Sequence, residues 1–80
     1  MTRKTLPRRP SDLPRARALR TVRRLGFVLD REGSRHSVYK DPENPRRLMS
    51  TPRHSRIKRD LLRGILSGVG ISEEEFMARY

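Results

Sequence analysis

Two histidines, His36 and His54, stand 18 positions apart in a chain of 80 residues that has no cysteine. Both lie among arginines: Arg35 precedes His36, and Arg53 precedes His54. An imidazole exchanges protons near neutral pH. It can take the proton of a ribose 2′-hydroxyl or give one to the 5′ oxygen that leaves. Guanidinium groups beside it can hold the scissile phosphate and stabilise the charge that builds on it. This chemistry needs neither metal nor cofactor, and it requires RNA, because DNA has no 2′-hydroxyl to attack. A histidine on the surface of a basic strand satisfies the same residue pattern without catalysis, and the residues alone leave that alternative open.

Other chemistries have little to work with. Nucleophile elbows, phosphate-binding glycine loops and dinucleotide fingerprints are absent. No carboxylate stands at ligand spacing near His54, and without cysteine no thiolate zinc site forms. The three consecutive carboxylates Glu73, Glu74 and Glu75 read as the start of a helix, where negative charge complements the dipole.

The charge balance points to a polyanion. Twenty Lys and Arg oppose nine Asp and Glu for a net charge of +11. Seventeen of the basic residues are arginine, the side chain suited to bidentate phosphate contact. Residues 1–24 carry +8, residues 25–63 carry +5, and residues 64–80 carry −2. The chain therefore divides into a basic arm over residues 1–10 and a single domain over residues 11–80. The arm, rich in Pro and Arg, is expected to be flexible and to add general electrostatic affinity. No apolar run is long enough to span a membrane, no secretory leader is apparent, and a reducing cytoplasm suits the absence of cysteine.

Periodicity supplies the elements that must position the histidines. Ser11 and Asp12 are candidate helix caps, with Pro14 in the first turn. Leu13, Ala16, Leu19, Val22 and Leu25 follow at three-residue steps, and Gly26 stops the helix. Arg17, Arg20 and Arg24 occupy the opposite face, while Arg15 and Arg23 flank the stripe. Residues 27–29, 35–40 and about 46–51 read as three strands, with turns at residues 30–33 and 41–45. In the second strand His36, Val38 and Lys40 share one face, and Ser37 and Tyr39 the other. A polar bridge over residues 53–56 leads to a helix over about 58–69, with Leu61, Leu62, Ile65 and Val69 as its apolar set. Ser72 with Glu75 forms a capping box before a last short helix through Phe76 and Met77. The order is αβββα plus a terminal turn, an α+β arrangement with two helices on one face of a three-stranded antiparallel sheet.

Several pieces in this order resemble the HicA-type (YcfA-like) toxins. They are Leu25-Gly26-Phe27-Val28, then Gly33-Ser34-Arg35-His36-Ser37-Val38-Tyr39, then Thr51-Pro52-Arg53-His54. Leu62-Arg63-Gly64-Ile65-Leu66, Gly70-Ile71-Ser72 and Glu75-Phe76 complete the match, from about Ser11 to Phe76. The resemblance implies a double-stranded-RNA-binding-domain-like fold. It also implies a metal-independent mRNA endoribonuclease, the toxin of a type II toxin–antitoxin pair that inhibits translation under stress. His36 then matches the catalytic histidine, and Tyr39 the aromatic three residues on, which reads as a packing residue. Ser34, Arg35, Lys40 and Arg53 would contact RNA, as would Arg17, Arg20 and Arg24. His54, at a frequent family position, would hold structure or contact RNA. The resemblance further implies a HicB-type antitoxin covering the active face, and a monomer in isolation that joins a hetero-oligomer.

Two positions depart from the family pattern. Arg35 stands where members commonly carry Ser or Gly directly before the histidine, which either adds a phosphate contact or shifts the turn. Asp60 stands where a glycine is frequent. Against the nuclease stands a second reading, a small RNA-binding module without catalysis, which the charge supports equally. DNA binding is weaker, because no helix-turn-helix spacing appears.

Overall fold

The computed structural model describes residues 12–80, so the basic arm and Ser11 lie outside the described residues. Strand β1 (Asp12–Pro14) comes first, followed by helix α1 (Arg15–Arg24). Pro14 is itself the N-cap, with φ −59° and ψ 130°, and no side chain caps the helix. Asp12 does not cap it either: its carboxylate accepts from Arg56 Nε at 2.7 Å. A proline disfavours helical geometry in the residue before it, so Leu13 is extended and the helix starts only at Arg15.

The apolar stripe of α1 also differs from the expected one. Ala18, Leu19, Thr21 and Val22 are buried, whereas Ala16 is exposed and Leu25 only half-buried. Steps of three residues fall about 60° short of a full turn each time, so a strict three-residue series walks off the face. Thr21 tolerates burial because its hydroxyl donates to the Arg17 carbonyl at 3.0 Å. Gly26 ends the helix as expected, at φ +100°, a conformation that costs any other residue a steric clash.

Strands β2 (Val28–Glu32), β3 (His36–Asp41) and β4 (Asn44–Pro52) form an antiparallel sheet in the order β2-β3-β4. Each strand runs past its expected C-terminal limit, β2 and β3 begin one residue later than expected, and both turns shrink. The pair Pro42-Glu43 suffices for the second turn, where Glu43 N–H donates to Asp41 Oδ1 at 2.9 Å. Pro45 is accommodated because β4 is an edge strand. A bulge between Leu29 and Arg31 shifts the β2–β3 register. The expected alternation in β3 holds: Ser37 and Tyr39 are buried, and His36 is exposed.

The polar bridge was expected to be irregular. It is instead partly strand β5 (Arg56–Lys58), which pairs antiparallel with β1, setting Leu13 opposite Ile57. Both residues are buried, and burial of that pair explains why two three-residue strands persist. Helix α2 (Arg59–Ser67) is shorter than expected and buries Leu62 and Leu66, leaving Leu61 exposed. Arg59 is buried as well, paired with Glu73 at the start of helix α3 (Glu73–Ala78). Ser72 caps α3, its hydroxyl accepting from Glu75 N–H at 3.0 Å. One apolar core joins Ala18, Leu19 and Val22 to Tyr39 and Met49 of the sheet and to Leu62, Leu66 and Phe76. The fold is thus α+β, with a three-stranded antiparallel sheet, two helices and a short C-terminal helix, compatible with a double-stranded-RNA-binding-domain-like αβββα arrangement.

Candidate active site

His36 is the first residue of β3, opposite Pro52 near the end of β4. That register brings three distant segments together. Residues 34–36, residues 52–54 and Leu61 of α2 line one groove of about 540 Å³. A second cleft of about 390 Å³ is lined by residues 31–36 and Val38. Ser34, Arg35 and His36 belong to both, so His36 stands where the two clefts meet.

The backbone under His36 is tied from several directions. Gly33 N–H donates to the His36 carbonyl at 2.7 Å, and a Cβ at Gly33 would come within 3.1 Å of that same oxygen. Arg53 bridges to this turn twice, from its N–H to the Arg35 carbonyl at 3.1 Å and from Nη1 to the Gly33 carbonyl at 2.8 Å. On the buried side of the sheet, Arg15 donates from Nη2 to Ser37 Oγ at 2.7 Å and from Nε to the Pro52 carbonyl at 2.9 Å. Ser37 in turn donates to Glu32 Oε1, and Thr51 Oγ1 donates to the Ser37 carbonyl at 2.9 Å. The Ser37 hydroxyl holds the Glu32 carboxyl below its usual range, helped by the charges of Arg53 and Arg15 and opposed by desolvation.

Of the residues expected to contact RNA, Ser34, Arg35, Arg53 and His54 share the groove with His36. Lys40 does not. It sits four residues along β3, about 13 Å from His36 at the usual strand rise of about 3.3 Å per residue, and pairs with Asp30 at 3.4 Å. Arg17, Arg20 and Arg24 line neither cleft. Arg17 stacks over the Tyr80 ring at 4.0 Å, and Arg24 Nη1 donates to the Arg79 carbonyl at 2.9 Å, so these two fasten the C-terminal segment to α1. Arg20 is simply exposed.

Arg15, Glu32, Ser37 and Thr51 were missed as parts of the site. One signal for them exists in the sequence: Ser37 falls on the buried face by alternation, and a buried hydroxyl requires a partner. Which residue supplies it depends on the approach of α1. The two departures from the family pattern also find places. Arg35 is exposed in the turn while its carbonyl anchors Arg53, and Asp60 lies in the first turn of α2, 3.3 Å from Arg63 Nη1. Among the described residues, no group of three or more His, Cys, Asp or Glu side chains gathers in a metal-binding cluster, and no helix is long and apolar enough to cross a membrane.

The fold and the groove define a small, basic α+β domain with histidines and arginines gathered at one end of its sheet. The family model described as the HicA toxin of bacterial toxin-antitoxin matches residues 15–71, well over half of the chain. The chain belongs to the HicA toxin family. It is therefore the toxin side of a toxin–antitoxin system, and membership implies an antitoxin partner. No curated protein matches the chain significantly.

Proposed function

We propose that this toxin is a metal-independent mRNA endoribonuclease in which His36 acts as the base on a ribose 2′-hydroxyl. The observation that carries the reading is the position of His36: exposed at the junction of two clefts, flanked by Arg35 and Arg53, on a backbone held by four hydrogen bonds across the turn and strand ends. A strand of RNA laid through the clefts passes the imidazole, and the guanidinium groups of Arg35 and Arg53 meet its phosphates. Arg53 spends one N–H on Gly33, which leaves the other donors of its five free to face a phosphate. Loss of mRNA in the cytoplasm would stop translation, and an antitoxin presenting carboxylates to this surface would associate rapidly.

Purified protein incubated with RNA in excess EDTA is expected to yield fragments ending in a 2′,3′-cyclic phosphate and a 5′-hydroxyl. His36→Ala should lower the rate by about 10²- to 10⁴-fold, the usual contribution of a positioned acid–base group. Equal cleavage by the two proteins would overturn the assignment, and intact RNA recovered from a tight complex would favour a binding module instead.

A further inference from the structure

We propose that His54 is the second proton-transfer group of this site, donating to the 5′ oxygen that leaves while His36 deprotonates the 2′-hydroxyl. The inference rests on the reading of His36 given above. In-line displacement places the attacking and leaving oxygens on opposite sides of phosphorus. One imidazole cannot serve both in a single step, so a second group must face the far side. Seven side chains line the groove: Ser34, Arg35, His36, Pro52, Arg53, His54 and Leu61. Among these side chains the imidazoles are the usual proton-transfer groups; a guanidinium keeps its proton throughout.

The placement of His54 follows from the sheet. His36 opens β3 and Pro52 closes β4 directly opposite, so residues just past β4 return to the end of the sheet where His36 stands. Arg53, between Pro52 and His54, is clamped to the Gly33–Arg35 turn by its main-chain N–H and its side chain. The segment that carries His54 is thereby fastened to the turn that carries His36. His54 is exposed, and among the described residues no hydrogen bond or ion pair engages its ring. Among the described residues, then, the His54 ring is not committed to holding the fold together, and it lines the groove beside His36.

The step balances without a co-reactant. The 2′ oxygen bonds to phosphorus as His36 accepts the hydroxyl proton. The bond from phosphorus to the 5′ oxygen breaks as protonated His54 hands over its proton. The products are the cyclic phosphate and a free 5′-hydroxyl, and solvent exchange returns each imidazole to its starting state.

A substrate that needs no acid separates this role from binding. The linkage that the native protein cuts most readily is remade with sulfur in place of the 5′ oxygen, because a thiolate leaves without protonation. His54→Ala is expected to slow cleavage of the oxygen RNA by about 10²-fold or more, yet cut the sulfur RNA within a few-fold of the native rate. His36→Ala should slow both, since the attacking hydroxyl still requires a base. Equal losses on both substrates, or no loss on either, overturn the role of His54 while His36 stands. Native-like cleavage of both RNAs by His36→Ala overturns the reading of His36 and this inference with it.

Discussion

At the scale of residues, the strand end that presents His36 is backed by a side chain that lines neither cleft. Ser37 faces the core side of the sheet, accepts from Arg15 and donates to Glu32, directly beneath the strand end that presents His36. Ser37→Ala removes that relay, and the Glu32 carboxyl should then titrate closer to its ordinary value of 4.5. A group whose carboxyl is depressed in the folded state contributes stability above its unfolded value and loses it as pH falls through the folded one. The native protein should therefore weaken on acidification through the range at and below that ordinary value, and Ser37→Ala should show a smaller acid-linked loss. Carbon-detected NMR titration of Glu32, with urea midpoints at neutral and acid pH, measures both effects. An unchanged Glu32 titration in the variant would sink the relay.

Elements place these residues through a few local rules and a few distant ones. Gly26 at φ +100° turns the chain from α1 into β2, and Gly26→Ala should cost about 1 kcal/mol. For a domain of this size such a loss lowers the melting temperature by roughly 4–8 °C, measurable by circular dichroism, with activity at low temperature retained. Much at this scale was legible beforehand. The stop at Gly26, the cap at Ser72 and the alternation of Ser37 with Tyr39 all depend on residues within a turn or two of one another. The pairing of β1 with β5 was not legible, because Leu13 and Ile57 are 44 positions apart and each strand is too short to announce itself. The apolar set of α2 was misjudged for a related reason: Leu61 and Leu66 are equally apolar, and only the packing of the helix on the sheet buries Leu66 and exposes Leu61.

For the whole molecule, the net charge of +11 divides differently in space than along the chain. Several arginines are committed to the fold. Arg59 pairs with Glu73, Arg47 donates to the Val69 carbonyl and to Asp41, and Arg15 holds Ser37 and Pro52. Arg17 and Arg24 fasten the C-terminal segment. Of the arginines, Arg35 and Arg53 line the groove, and Arg53 spends one of its donors on the Gly33 carbonyl. In a cleavage-inactive His36→Ala background, RNA affinity should fall steeply with salt, and Arg35→Gln should reduce the slope of log K against log salt by about 0.7. Arg24→Gln should leave that slope nearly unchanged. Filter binding across a salt series decides the matter; equal effects of the two substitutions would return the α1 face to the RNA-binding surface.

The sequence by itself determined the strongly basic charge, the αβββα order and the glycine and serine stops, and it pointed to His36 once the family resemblance was added. These depend on composition or on neighbours close in the chain, where dihedral preference and periodicity act. Only the tertiary structure decided that His54 shares a groove with His36, that Lys40 and the arginines of α1 do not, and that Arg15 underpins the strand that carries His36. Those outcomes hang on strand register and on how helices settle over the sheet, and both arise when side chains far apart in the chain compete for the same buried space.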